Sequence, residues 1–231
     1  MVQDLDGWRL RYDGGVTQRA NSVWPNGARG RLSLEDRLRA VEEFYREREL
    51  PALYQLTPAS LPSDLDAVLA RRGYRTAAPT LVQTASIDRV LERTESSEHL
   101  VTIDSFHDEW FEAYCEEASR DTYDATVRRG ILQRIEPGSG YATLCSQGRP
   151  VAVGLGVVEA GWVGIFCMAT LPAFRRQGAG AAVLRSLAEW GRQQGAEQVY
   201  LQVTEANVEA RPLYAKAGFE MLYTYHYRVA E

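Results

Sequence analysis

Three apolar runs, Tyr141–Cys145, Val151–Glu159 and Trp162–Ala169, follow one another with only the glycine-containing turns QGRP and AG between them. Segments this short, joined this tightly, fold back on one another as antiparallel strands. Upstream, Val101–Ile103 reads as a further strand, while Asp108–Arg120 and Ala125–Ile135 carry apolar residues at helical spacing. Pro137-Gly138-Ser139-Gly140 supplies a turn into the meander. Downstream, PAFRRQGAG (172–180) leads into a helix over Ala181–Gln194. Val183, Leu184, Leu187, Ala188 and Trp190 share one face of it, and Gly195 is its stop. A strand over Gln198–Val203, a helix over Val208–Ala217 and a strand over Glu220–Val229 complete an α+β order on a mixed sheet.

The first half carries an echo of the second. LARRGY (69–74) resembles YAKAGF (214–219), each at a helix end and each followed by an extended run. Before the first copy lie a strand, ALYQL (52–56), and an amphipathic helix opening at Ser33, where S-L-E-D resembles a capping box with Asp36 in place of glutamate. The polar, aperiodic stretch ERTESSEH (92–99) reads as a linker, which divides the chain into 1–94 and 100–231. The first of these is expected to be a smaller, truncated relative of the second. Within it GGVTQRANSVWP (14–25) either lines a pocket or serves as strand-and-turn scaffolding.

Composition narrows the function classes. A net charge of -5 with a pI near 5.4 argues against a dedicated nucleic-acid binder. Cys115, Cys145 and Cys167 are odd in number and lack metal-type spacing, so reduced thiols are expected, and His99, His107 and His226 are equally scattered. No metal is expected. The opening MVQDLDGW has neither the basic start nor the apolar segment of a signal peptide, and no apolar run approaches the ~18 residues of a membrane helix. The expectation is a cytoplasmic protein, monomer or homodimer, with no nucleic-acid or membrane partner.

An acidic chain that places two arginines and two spaced glycines just before a helix invites an anion. The head of a helix presents unpaired N–H groups and the positive end of its dipole, and glycines let an anion approach the backbone. The plainer alternative is a turn with solvated arginines. A P-loop spacing is absent, and GAGAAV (178–183) puts Val183 where a dinucleotide fingerprint needs a third small residue. RRQGAG (175–180) instead resembles the R/Q-x-x-G-x-G/A acetyl-CoA loop of the GNAT N-acetyltransferase superfamily. MATLPAFRRQGAG (168–180) resembles that family's strand-four exit, and LQVTEANVEARPLYAKAGF (201–219) matches its L-x-V-x-x-x-N-x-x-A-x-x-L-Y-x-K-x-G-F pattern. The resemblance covers roughly 100–231 and implies a GNAT acyltransferase fold there, in tandem with a degenerate GNAT-like first half.

The resemblance implies acetyl-CoA as co-substrate and direct attack by a primary amine in a ternary complex. Backbone amides of Arg176, Gln177, Gly178, Ala179, Gly180 and Ala181, with Arg175 beside them, would hold the CoA pyrophosphate. Met168, Ala169 and Thr170 would meet the pantetheine arm as an added strand does. Asn207 would bond the CoA arm or simply cap the next helix. Tyr214 would be the general acid toward the departing thiolate, against the alternative of an ordinary half-buried tyrosine. Its counterpart in the first half is Leu69, which cannot donate a proton, so that half is expected to be silent. Trp162–Ala169 contains no carboxylate, which leaves Glu205 as the candidate base, Glu159 as a weaker one, or a chain of waters. The acceptor is a small amine or a peptide or protein amine, unspecified by these residues. The competing reading is an acyl-CoA-binding sensor with little turnover.

Overall fold

A computed structural model describes residues 1–27, 30–95, 99–118, 121–135 and 138–230. The chain divides into two compact units. One comprises Met1–Leu81, Thr204–Ala206 and Tyr223–Glu231; the other comprises Val82–Val203 and Asn207–Leu222.

In the first unit β1 (Val2–Leu5) and β2 (Trp8–Arg11) form a hairpin closed by Asp6-Gly7, both at positive φ. This is the two-residue turn whose twist suits paired strands. β3 (Val23–Trp24) runs antiparallel to β2. Asn21 holds the segment before it: its Oδ1 accepts the N–H groups of Asp13 and Gly15, and its Nδ2 donates to the carbonyls of Asp13 and Thr17. The 14–25 stretch is thus scaffolding. α1 (Leu34–Arg46) begins where Ser33 Oγ accepts the Asp36 N–H at 3.1 Å. The short Asp36 carboxylate accepts from the Ser33 hydroxyl, at 2.7 Å, rather than from the Ser33 N–H, a variant of the expected box. The helix buries Leu38, Val41, Phe44 and Tyr45 against Trp8, Leu10, Val23 and Tyr54.

β4 (Leu53–Leu56) lies parallel to β3, and α2 (Leu65–Arg71) adds Leu65 and Leu69 to the same core. α2 ends at Gly73, φ +86, where the Tyr74 N–H returns to the Leu69 carbonyl at 3.1 Å. β5 (Arg75–Ser86) then leaves this unit and ends in the other.

The second unit includes α3 (Ile87–Arg93), which takes in Glu92 and Arg93 of the stretch expected as a linker. Its polar residues are the exposed side of a short helix whose Ile87 and Val90 are buried. Arg185 donates to the carbonyls of Leu91 (2.7 Å) and Thr94 (2.5 Å), fixing that helix end. Residues 96–98 lie outside the described residues. β6 (Val101–Asp104), β7 (Ser139–Ser146), β8 (Arg149–Glu159) and β9 (Trp162–Thr170) form the expected antiparallel meander. α4 (Asp108–Ala118) and α5 (Thr122–Gln133) lie between β6 and β7 in the chain; Arg120 and Pro137 of the expected elements lie outside the described residues.

Because strand residues alternate faces, the meander buries two sets of side chains. Tyr141, Val153 and Leu155 meet Trp110, Phe111 and Leu132 of α4 and α5. On the other face Gly154 and Gly156 meet α6 (Ala179–Gln193), which buries Val183, Leu184, Leu187 and Ala188. A Cβ on Gly154 would stand 2.7 Å from Met168 Sδ and 2.8 Å from Val183 Cγ1, so the glycine permits that approach. β10 (Gln198–Thr204), α7 (Arg211–Lys216) and β11 (Glu220–Val229) follow. α7 is shorter than the expected 208–217 and has proline in its first turn. It ends as α2 does: Gly218 has φ +89, and the Phe219 N–H returns to the Tyr214 carbonyl at 3.0 Å. The sequence echo is an echo of backbone geometry.

β11 crosses back. Its residues from Tyr223 belong to the first unit, where Leu53–Leu56 pair antiparallel with His226–Val229. There Asp66 accepts from His226 at 2.9 Å and Arg228 at 2.7 Å. A fragment of residues 1–94 leaves β4 without that partner and exposes an apolar edge. It is expected to show no cooperative unfolding in urea, whereas the full chain does; a sharp transition from the fragment would refute the dependence.

Candidate active site

β9 and β10 are parallel neighbours only where Trp162–Ile165 face Gln198–Leu201. Beyond them β9 bulges. Against β8, Leu155 faces Phe166 and Val153 faces Ala169, so Gly154 stands opposite both Cys167 and Met168. Cys167 adopts φ +50, and the extra residue bends the strand. The carbonyl of Gly154 is taken up by Trp110, whose Nε1 donates to Ala142 O at 3.0 Å and Gly154 O at 3.1 Å. Past Ile165, β9 has no partner strand on its β10 side among the described residues. Met168, Ala169 and Thr170 lie on this open stretch.

A 3₁₀ turn over Pro172–Phe174 follows, then a loop in which Arg176 (φ +62) and Gly178 (φ +86) are left-handed. The N–H groups of Arg176, Gln177, Gly178, Ala179, Gly180 and Ala181 find no acceptor among the described residues. The first helical bond runs from Ala182 N–H to Gly178 O at 2.9 Å. These amides head a 15-residue helix, where the positive end of the dipole and N–H groups without intrahelical partners favour negative charge. The helix starts two residues before the expected Ala181, so Ala179 and Gly180 sit in its first turn.

The side chains around the loop mostly brace it. Arg175 Nε donates to the Thr170 carbonyl at 3.1 Å and its Nη1 lies 3.3 Å from Glu209, so its guanidinium ties the strand end to the segment before α7. Gln177 Nε2 donates to Ala173 O at 2.8 Å. His99 brings Nε2 to 3.2 Å from the Gln177 carbonyl, a neighbour that its scattered place in the sequence did not suggest.

Tyr214 of α7 is 7% exposed, its ring edge-on to Phe219 at 6.0 Å. Burial pushes its phenol up to about 12, and no described residue hydrogen-bonds the hydroxyl. Asn207 caps: its Oδ1 accepts the Ala210 N–H at 3.1 Å, and its amide N–H groups meet no acceptor among the described residues. Glu205 is exposed, its own N–H donating to Pro79 O at 2.8 Å, and it belongs to the first unit while Tyr214 belongs to the second. Glu159 faces Trp162 at the closed end of the β8–β9 hairpin. That is roughly 17 Å along the strand from the bulge at ~3.3 Å per residue, too far to serve as base.

Among the described residues no group of three or more His, Cys, Asp or Glu is placed to hold a metal, and no helix is long and apolar enough to cross a membrane. Cys115, Cys145 and Cys167 are unbridged.

An antiparallel meander, a bulged fourth strand that parts from the fifth, and an amide-lined loop heading the intervening helix define a GNAT-type acetyltransferase. The fold resembles that of a GCN5-related N-acetyltransferase from Kribbella flavida (TM-score 0.70, 19% identity, covering 99% of this chain and 88% of that one). It also resembles a tandem GNAT protein from the clavulanic acid biosynthesis pathway (TM-score 0.69, 12% identity, 91% of this chain and 75% of that one). The Bacillus subtilis (strain 168) protein described as uncharacterized N-acetyltransferase YobR is 30% identical over 228 residues, 96% of this chain and 89% of the relative. Residues 2–228 match the family described as probable histone acetyltransferase Rv0428c C-terminal, and the chain belongs to that family, within the GNAT superfamily.

Gly178→Ala puts a side chain on a left-handed residue, its Cβ only in ordinary contact with His99 Nε2 at 4.0 Å. Urea unfolding is expected to show a loss of about 1–2 kcal/mol from backbone strain; an unchanged midpoint would mean the loop relaxes without cost.

Proposed function

We propose that the protein transfers the acetyl group of acetyl-CoA to a primary amine by direct attack in a ternary complex. The observation that carries this reading is the adjoining pair of vacancies in the backbone hydrogen bonding. The unpaired amides of residues 176–181 suit a pyrophosphate, and the open β9 edge at 168–170 suits an extended pantetheine arm as an added strand. Thr170 already spends its carbonyl on Arg175, so Met168 is the better strand partner and Arg175 a positioning residue.

In the reaction the amine nitrogen forms its bond to the thioester carbon as the carbon–sulfur bond breaks. Sulfur leaves with a proton from the Tyr214 hydroxyl, and the proton that the attacking nitrogen sheds as it becomes an amide returns through solvent to the tyrosine. A backbone amide at the bulge stabilises charge developing on the carbonyl oxygen. The acceptor, an ammonium of pKa ~10, first loses a proton to Glu205 or to water. The first half acts as a silent, GNAT-like repeat. The matched turns at Gly73 and Gly218 support common architecture, while buried Leu69 stands where Tyr214 does and cannot be an acid.

With its phenol up to about 12, Tyr214 stays protonated while the acceptor ammonium titrates. Turnover at fixed acceptor concentration is therefore expected to rise with pH toward 10, without an alkaline fall from this group. Tyr214→Phe should lose most turnover yet keep acetyl-CoA affinity; equal turnover removes it as the acid. Arg175→Glu with Gly178→Glu should abolish acetyl-CoA binding by calorimetry, and retained affinity would sink the loop assignment. CoA release across a panel of amines separates enzyme from sensor: binding without release from any amine favours the sensor.

A further inference from the structure

Arg128 on α5 has no carboxylate partner among the described residues. Its Nε is buried and unpartnered, and its Nη1 donates to the Tyr114 hydroxyl at 3.3 Å. Asp108 pairs with Arg129, which also lies over the Phe111 ring, and Glu116 pairs with Arg149 at 2.7 Å. No acidic side chain pairs with Arg128 among the described residues. A partly buried guanidinium left so is unfavourable until an anion meets it, and its planar fork of donors suits a carboxylate.

The direction in which Arg128 leads matters as much as its charge. Tyr114 also packs in the same cluster as Cys167, the left-handed residue of the β9 bulge. Tyr114 is held in place by stacking on Trp110, ring centroids 5.5 Å apart at 24°, and Trp110 is itself pinned to two strand carbonyls. Phe166, Cys167 and Ala169 pack toward this α4–α5 side, whereas the Met168 sulfur lies on the α6 side beside Gly154. A path of packed side chains therefore leads from Arg128 to the residue next to Met168, where the thioester is proposed to lie.

We propose that Arg128, steadied by Tyr114, binds a carboxylate on the acceptor, so that the substrate class is an amine that also bears a carboxylate, as amino acids do. This rests on the transferase reading for its meaning but can be tested apart from it. N-acetylglycine and N-acetylglycinamide, titrated calorimetrically into the CoA-bound protein, compare carboxylate with carboxamide at the product position. The carboxylate is expected to bind about tenfold or more tightly, the worth of one charge-assisted hydrogen bond. Arg128→Gln should abolish the preference and Arg128→Lys should keep part of it, with CoA affinity in the same titrations reporting a folded protein. Equal affinities, no binding of either probe, or a preference that survives Arg128→Gln would overturn the proposal. In parallel, glycine and glycinamide are assayed as acceptors. A carboxylate preference in binding with no CoA release from any amine would leave the anion site standing and defeat the transferase reading instead.

Discussion

The parting of β9 from β10 after Ile165 and Leu201 is the constraint on which the rest of the candidate site depends. Two parallel strands that stayed paired would satisfy each other's backbone and leave nothing for a ligand to bond. One extra residue at Cys167–Met168 breaks that pairing, and the break is tolerable because it is repaired selectively. The Trp110 indole takes the Gly154 carbonyl on the closed side, while the side toward β10 keeps its donors and acceptors. Buried backbone groups left unpaired are costly, so the indole is as much a part of the site as the strand it serves.

The loop after β9 follows the same logic at a helix end. Left-handed Arg176 and Gly178 turn the amides of 176–181 outward before the helix can use them, and Arg175, Gln177 and His99 hold the surrounding carbonyls. Glycines at 154 and 156 let α6 settle close to the sheet, which brings its head to the open strand edge. Charge is then arranged on the other face, where Arg128 reaches the bulge through Tyr114.

What could be read from the sequence was whatever rests on local pattern. The meander, the amphipathic face of α6, the Ser33 cap and the paired glycine turns at 73 and 218 all follow from spacing and turn chemistry, and the loop carried its meaning in RRQGAG. The β1–β2 hairpin carries a local mark too, the Asp6-Gly7 pair just before the alternating Trp8-Arg9-Leu10-Arg11. The bulge left no such mark, since a cysteine holds its left-handed position and nothing nearby announces an extra residue. The role of Trp110 likewise depends on a carbonyl 44 positions away. Glu92 and Arg93 look polar and aperiodic because the buried side of their short helix, Ile87 and Val90, precedes them and its end is held by Arg185, distant in the chain.

β11 returns to pair with β4, and this bears on how the protein comes into being. Ribosomes add about 5–20 residues per second, so the first unit waits on the order of ten seconds between the emergence of β5 and the release of the strand that completes it. During that interval an apolar strand edge is open to any extended chain in reach. Nascent protein of this kind is a natural client for chaperones that shield strand edges, and its yield in a cell should depend on them more than the stability of the finished fold would suggest.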